Sequence, residues 1–334
     1  MKRVTILDVA NFAGVSKSTV SQYLNKRFDY MGVETKKKIE KAIEELNYQP
    51  NIVARSLKVK STKTIGVIVA NILHEFSTQI IRAIEDVCHE LDFHIIVCNA
   101  DDNPVKEEKY INMLFAKQID GLIVFPTSEN IDLYDRLQNS KFPIVFMDRR
   151  IPSNNIDSIL LDNEKAAAMA VEEFIRHGYE RIGIVTTSAV NNVTPRKERL
   201  KGFEKVILEN KLPLLPEYIK SAEINQIQIE LEKMFNLAEP PQALLAGNDL
   251  TLFEVLKFVR KNKLSIPDDI AVIGIDDVSF ADLYNPPLTT IKQPTFEMGE
   301  KAAELLFNKI NKVENDTTNS IYRFKPELIV RMSC

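Results

Sequence analysis

Apolar residues follow two different rhythms along this chain of 334 residues. From residue 64 onward, short apolar runs alternate with stretches of helical period: TIGVIVA, HIIVCNA, GLIVFP, PIVFMD, SILLDN, RIGIVTT, ALLAGN and IAVIGIDD. Runs that are apolar throughout, rather than alternating with polar residues, predict strands buried on both faces, and so parallel sheets covered by helices. The order of the runs nearly repeats. KTIGVIVAN is echoed by ERIGIVTTS, IDGLIVF by PQALLAGN, and FPIVFMD by IPDDIAVIGIDD. A strand–helix programme that runs twice predicts two similar lobes with a cleft between them.

The N-terminal residues keep a helical rhythm instead. In TILDVANFAGVSKSTVSQYLN, residues 5–25, Ile6, Val9, Ala10 and Ala13 share one face of a first helix, and Gly14 supplies the backbone freedom of a tight turn. Ser16 is placed to cap a second helix. Val15, Val20 and Leu24 point back at the first, which leaves Lys17, Ser18, Ser21, Gln22 and Asn25 outward. A third helix from Glu34 to Leu46 turns Ile39, Ala42, Ile43 and Leu46 onto the pair. The predicted fold is α/β: an N-terminal helix-turn-helix domain followed by a two-lobed parallel-sheet body.

Helix pairs joined by a glycine turn also occur in proteins that never touch DNA, so charge has to decide. Residues 1–60 hold 12 Lys or Arg against 6 Asp or Glu, net +6, while the whole chain is −4, so residues 61–334 carry −10. A basic module joined to an acidic body suits a protein that neutralises phosphates at one end only.

The remaining composition narrows the choice. The 10 glycines include no G-x-G and no G-K-[ST] loop, so neither a dinucleotide nor a nucleoside triphosphate has a backbone cradle. His74, His89, His94 and His177 lack metal-ligand spacing, with His89 and His177 read as surface residues near helix ends; no metal and no cofactor is expected. Cys88, Cys98 and Cys334 form no paired framework, in keeping with a reducing interior. The start, MKRVTILDVANF, lacks the apolar core of a signal peptide, and no run reaches the length of a membrane span. A cytoplasmic protein without membrane contact is expected.

The block from Thr5 to Asn25 and the later run ELNYQPNIVARSLK, residues 45–58, resemble the lactose/galactose repressor (LacI/GalR) family of bacterial transcription regulators. The resemblance continues through the strand and loop motifs to the C-terminus. It implies that Lys17, Ser18 and Gln22 read base edges in operator DNA, while Thr5, Ser16, Thr19, Ser21 and Asn25 grip phosphates. Gln22 departs from the Arg usual there; an amide suits the N6/N7 edge of adenine rather than guanine. Tyr23 is also larger than the usual aliphatic residue, and it is read as filling a gap against the third helix. The segment from Pro50 is implied to be a hinge helix: Asn51 belongs to its motif, Val53 and Ala54 pair with a second copy, and Leu57 enters the minor groove.

The family also implies three crossings between the lobes. The expected domains are 1–49 for the helix-turn-helix, 50–61 for the hinge and linker, 62–161 with 293–322 for the first lobe, and 162–292 with 323–334 for the second. Two half-sites on a pseudo-palindromic operator imply a homodimer. No leucine heptads follow Lys312 that would build a tetramer.

In open parallel sheets ligands bind outside the carboxyl ends of strands. Asp148 closes PIVFM, Asn248 follows ALLAG, Asp276 follows IAVIGI, and Arg199 lies in TPRKERLKGF beyond RIGIVTT. Read singly, Asn248 is equally a helix cap. The resemblance implies that these four bind a small effector, with Phe76 and Ser77 lining the same pocket. Arg149 and Arg150 follow Asp148, and Arg196 stands one helical turn before Arg199. With Arg149, Arg150 and Arg196 in the cleft, the site is expected to be unusually cationic, which favours a sugar acid over a neutral sugar. Along its whole length the chain also resembles the repressors of 2-keto-3-deoxygluconate and pectin breakdown from Gram-positive bacteria, which implies such an acid.

The expected function is therefore an effector-responsive repressor of carbohydrate catabolic genes, with no catalytic residues. The alternatives are co-repression by a purine on the same fold, an exported solute-binding protein, or an enzyme processing sugar acids. The second has no use for a basic helix-turn-helix, and the third needs a positioned base or metal.

Overall fold

A computed structural model of the chain describes residues 4–29, 31–49, 61–127, 129–188, 193–313 and 320–334. They fall into two units, Met1–Thr62 and Lys63–Cys334. The expected hinge positions Asn51, Val53, Ala54 and Leu57 lie outside the described residues.

The first unit holds helices α1 (Ile6–Ala13), α2 (Lys17–Leu24) and α3 (Val33–Glu45). Thr5 and Asp8 close α1 with reciprocal bonds, the Thr5 amide donating to Asp8 Oδ2 at 2.8 Å. Gly14 ends it with φ 65°, a left-handed turn that an L side chain rarely adopts. Val9, Ala10, Ala13, Val20, Ile39 and Ala42 form the core, joined by Tyr48.

In the second unit the first six strands are β1 (Thr64–Val69), β2 (His94–Asn99), β3 (Gly121–Val124), β4 (Ile144–Met147), β5 (Ser158–Leu161) and β6 (Ile182–Thr187). The other six are β7 (Ile219–Ala222), β8 (Ala243–Ala246), β9 (Ala271–Ile275), β10 (Thr289–Lys292), β11 (Ile321–Phe324) and β12 (Glu327–Ile329). The helices are α4 (Glu75–Glu90), α5 (Pro104–Ala116), α6 (Ile131–Asn139), α7 (Asn163–Arg176), α8 (Thr194–Glu209), α9 (Ile227–Phe235), α10 (Asp249–Lys261) and α11 (Thr295–Ile310). Among these described residues no helix is long and apolar enough to cross a membrane.

Two six-stranded sheets result, ordered β11-β5-β4-β3-β1-β2 and β12-β10-β9-β8-β6-β7. Leaving aside the edge strands β11 and β12, the second order is the first with each strand five further along the chain. This is the structural counterpart of the sequence echoes, since β1 matches β6, β3 matches β8 and β4 matches β9. Strand pairs are parallel throughout, except that β12 runs antiparallel to β10.

Both faces of each sheet are covered. In the first lobe α4 and α11 bring Ile80, Ile84, Met298 and Leu306 onto Ile65, Val67 and Val145. On the opposite face α5 and α6 bring Ile111, Leu114 and Tyr134 onto Ile68, Val124 and Phe146. In the second lobe α7 and α8 cover one face and α9 and α10 the other. The central strands have no solvent face, which is why their sequences are apolar without alternation.

One expected boundary is corrected. Residues 323 and 324 belong to the first lobe, because β11 pairs with β5 along its whole length, Arg323 opposite Leu160 and Phe324 opposite Leu161. Tyr322 and Phe324 both pack on the first-lobe core, so the inward alternation runs to residue 324. Pro326, without an amide to donate, follows the strand end. The third crossing thus falls between Phe324 and Glu327.

Candidate DNA-binding face and effector cleft

Ser16 organises the start of α2. Its Oγ accepts from the Thr19 amide at 3.2 Å and lies 2.7 Å from the Ser18 hydroxyl and 2.8 Å from that of Thr19. Lys17, Ser18, Gln22 and Asn25 are exposed, and Thr19 and Ser21 are half-exposed. Asn25 Nδ2 donates to the Ser21 carbonyl at 2.7 Å, so this amide also closes the helix it would present to a phosphate. Thr5, exposed at the N-cap of α1, donates its hydroxyl to Asp8. Tyr23 turns away from this face: its ring meets Phe28 edge-on at 5.8 Å, and Glu40 and Glu44 of α3 join burial in raising its phenol.

In the body, Asp148 directly follows β4 and Asp276 directly follows β9, the equivalent strand of the other lobe. Both have positive φ, 64° and 87°, a conformation Asp tolerates better than most side chains. The two lobes thus present matching carboxylates to the cleft. Asp276 Oδ1 accepts from Gln293 Nε2 at 2.6 Å and its Oδ2 from the Asp249 amide at 3.2 Å. Burial and the nearby Asp249 carboxylate raise its pKa above the ordinary value. Asn248 caps α10, as its position after a strand allowed: Oδ1 accepts from the Thr251 amide at 2.9 Å, while Nδ2 reaches Thr187 Oγ1 at 3.3 Å.

These groups line an inner chamber of about 50 Å³ together with Phe76, Ser77, Phe125, Arg149, Arg196 and Arg199. Phe76 meets Phe125 edge-on at 6.1 Å and offers a flat apolar surface. Arg199 is only 5% exposed. Its Nε donates to Asn163 Oδ1 at 2.9 Å and its Nη1 to the Gly247 carbonyl at 2.6 Å. Gly202 makes that placement possible, because a Cβ there would stand 2.2 Å from the Glu164 carbonyl oxygen, and so α8 lies directly on the start of α7. Both partners of Arg199 are neutral oxygens; among the described residues no carboxylate is hydrogen-bonded to this buried cation.

The other cations behave differently, and the expectation of a strongly cationic cleft is corrected here. Arg149 Nη1 donates to Asp102 Oδ1 at 2.5 Å and Arg196 Nη2 to Asp102 Oδ2 at 2.8 Å. One carboxylate from the loop after β2 serves two guanidiniums, with Asp148 3.8 Å from Arg149 Nε. Burial pulls the Asp102 pKa upward, but the two guanidiniums overcome it and hold it at about 2. Sequence spacing gave no sign of this pairing, since Asp102 and Arg149 meet only through the sheet.

A larger outer chamber of about 280 Å³ adjoins the inner one, sharing His74, Arg149, Val193 and Arg196 as lining. Thr127 is held in its wall by Glu107, whose carboxylate accepts from the Thr127 amide at 2.7 Å and from its hydroxyl at 2.9 Å. Burial pushes the Glu107 carboxyl upward.

Residues 5–51 match the family described as bacterial regulatory proteins, lacI family, and residues 171–334 match a periplasmic binding protein-like domain. The chain is 47% identical to the probable HTH-type transcriptional regulator EndR of Paenibacillus polymyxa, with 98% of each covered. The chain belongs to the LacI family. A second relative, the HTH-type transcriptional regulator KdgR of Bacillus subtilis, is 35% identical over 92% of this chain and 91% of its own. Among solved structures, a lac repressor dimer bound to operator and the anti-inducer ONPF aligns with a TM-score of 0.87 at 26% identity, covering 99% of both chains. As a member of the LacI family the chain is a transcriptional regulator.

In this LacI-family body, contacts across the cleft come mainly from residues that sequence analysis did not select. Asp249 accepts from His74 at 2.5 Å and from the Glu75 amide at 2.8 Å, while Glu75 in turn accepts from the Ser279 amide at 3.1 Å. The only available signal was an acidic first turn on α10. Burial lowers the His74 pKa and Arg149 opposes its charge, but Asp249, with Asp276 behind it, outweighs both and raises it above 6.5. A folded value above the unfolded one means that this stabilisation is complete below about pH 6.5 and is lost as pH rises through the folded value. Replacing His74 by Ala is expected to lower the melting temperature more at pH 6 than at pH 8.5; equal losses at both would show that the pair carries no charge.

Proposed function

We propose that this LacI-family regulator is a homodimeric repressor of carbohydrate catabolic genes, released from a two-fold operator when a sugar acid closes the cleft. The observation that carries the ligand class is Arg199, a buried guanidinium at the inner chamber whose hydrogen bonds end on neutral oxygens. The carboxylate that feels this cation, Asp276, is bonded to Gln293 and the Asp249 amide, and a ligand carboxylate adds the planar, two-pronged contact that Arg199 lacks. Asp148, Asp276, Asn248 and Arg149 bind ligand hydroxyls, Phe76 and Ser77 support the ring, and Arg196 borders the entrance. Protein donors fix these carboxylates in place: Asp102 is held by two guanidiniums, Asp249 by His74, and Asp276 by Gln293.

Melting temperature against 2-keto-3-deoxygluconate, galacturonate, neutral hexoses and purines tests this, since a ligand specific to the folded cleft stabilises by mass action. A shift with acids that also releases operator fragments is expected. Stabilisation by purines with tighter operator binding would replace induction by co-repression.

On DNA, Lys17, Ser18 and Gln22 read bases, and Thr5, Ser16, Thr19, Ser21 and Asn25 hold phosphates. Against a panel of half-sites, Gln22→Ala is expected to lose about 1–3 kcal/mol of discrimination at one base pair. Unchanged preferences in the variant would remove Gln22 from base readout.

A further inference from the structure

We propose that Glu198 and Arg323 are positioning residues of the effector site, which hold Arg199 in its ligand-ready orientation by way of Asn163 and tie it to two of the three crossings between the lobes. This rests on the effector reading above and deepens it.

Arg199 takes its orientation from Asn163, whose Oδ1 accepts from the Arg199 Nε at 2.9 Å. An Asn amide has a donor at one end and an acceptor at the other, so its partners decide which way round it sits. Asn163 is fully buried, and its Nδ2 donates to the Leu161 carbonyl at 3.2 Å and to Glu198 Oε2 at 3.3 Å. Two acceptors on that side leave Oδ1 as the end that meets Arg199. Turned over, the amide would set its amino group against a guanidinium donor and lose the bonds on both sides at once.

Glu198 is fixed in turn by Arg323. Nη2 of that guanidinium donates to Glu198 Oε1 at 2.6 Å and Nη1 to Oε2 at 2.9 Å, a planar two-pronged contact. Nη1 also donates to the Leu161 carbonyl at 3.2 Å. Contacts therefore run from Arg323 through Glu198 and Asn163 to Arg199. Leu161 ends β5 and Asn163 starts α7, so these two bracket the first crossing, while Arg323 stands in β11 just before the third. The Asp162 amide joins the same two crossings by donating to the Phe324 carbonyl at 2.8 Å. A shift at either crossing is thus carried to Arg199 through Asn163.

Neither Glu198 nor Arg323 lines the inner or the outer chamber, so their effect on a ligand is exerted through Arg199. With both oxygens engaged by Arg323, the Glu198 carboxylate is also kept from neutralising Arg199 in place of a ligand. The pair itself is a weak source of stability: the Arg323 side chain is 40% exposed, and exposed ion pairs contribute little. Its loss is felt in the orientation of Arg199 more than in the melting temperature.

The test uses the full-length protein with isotopically labelled arginine, in which Arg199→Ala identifies the Arg199 Nε–H resonance by its disappearance. Without ligand, Arg323→Ala and Glu198→Ala are expected to move that resonance while the melting temperature stays within about 3 °C of wild type. In calorimetric titration with 2-keto-3-deoxygluconate and galacturonate, both variants should bind the acid that the wild type binds about ten-fold more weakly, the worth of one hydrogen bond. Arg323→Lys, which keeps the charge, should recover part of that affinity. Lys201→Ala breaks another exposed ion pair of the same helix, Lys201 with Glu164, and should change neither resonance nor affinity. An Arg199 resonance unmoved in both Ala variants, or affinity losses no larger than that of Lys201→Ala, would overturn the positioning role and leave the effector reading intact. Binding of neither acid by the wild type would overturn the effector reading, and the Arg199 resonance would still decide the positioning role.

Discussion

Replacing Arg199 by Ala is expected to raise the effector concentration needed for operator release by about a hundredfold, while affinity for operator without effector is unchanged. The guanidinium is 5% exposed and is held by Asn163 and Gly247, so its remaining donor capacity is preorganised for the ligand. Losing a charge-assisted contact of this kind costs about 3 kcal/mol, which is roughly a hundredfold in affinity. Arg199→Lys is expected to recover little, because the three donors of an ammonium radiate from one nitrogen and cannot reproduce the planar fork that spans Asn163, Gly247 and a carboxylate. Effector-dependent release of a labelled operator fragment measures this. Release at the wild-type concentration would exclude Arg199 from the effector site and remove the main support for an acidic ligand.

The second large effect is one of stability. Asp102→Ala leaves Arg149, 6% exposed, and Arg196 without their shared carboxylate. Removing one partner of a buried ion pair typically costs about 3–5 kcal/mol, and since Asp102 is itself partly exposed and Asp148 stays near Arg149, about 2–3 kcal/mol is expected. In a body of this size that lowers the melting temperature by roughly 4–5 °C. The same carboxylate has a signature in acid. Its folded pKa, about 2, lies below the ordinary 3.8, so its stabilisation is present above about pH 4 and is lost as pH falls towards 2. Wild type and Asp102→Ala should therefore converge in stability as the pH is lowered through that range. An unchanged melting temperature at pH 7, or a difference that persists at pH 2, would mean that Asp102 does not neutralise the two guanidiniums.

The cleft shows where sequence stops being informative. Asp148, Asp276 and Asn248 were legible because each directly follows an apolar run, and parallel sheets place those ends at the cleft. Arg149 was legible as a cleft residue for the same reason, and Arg196 because it stands one helical turn before Arg199. Their charge state was not, because it depends on Asp102, which lies in a different loop and reaches Arg149 only when β2 and β4 take their places in one sheet. The His74–Asp249 contact was hidden for a stronger reason: its partners stand 175 residues apart, in different lobes.

What the sequence determined by itself is whatever depends on neighbours along the chain. The capping of α2, the glycine turn at Gly14, the outward polar face of α2 and the twice-run order of buried strands follow from local periodicity and turn chemistry. What only the tertiary structure decided is whatever depends on distance through space. The balance of charge in the cleft, the division into inner and outer chambers, the latch between lobes and the lobe to which residues 323 and 324 belong were fixed by pairing and burial. Electrostatic energies fall with separation in space rather than in sequence, so a string of residues cannot rank them until the sheets bring the charges together.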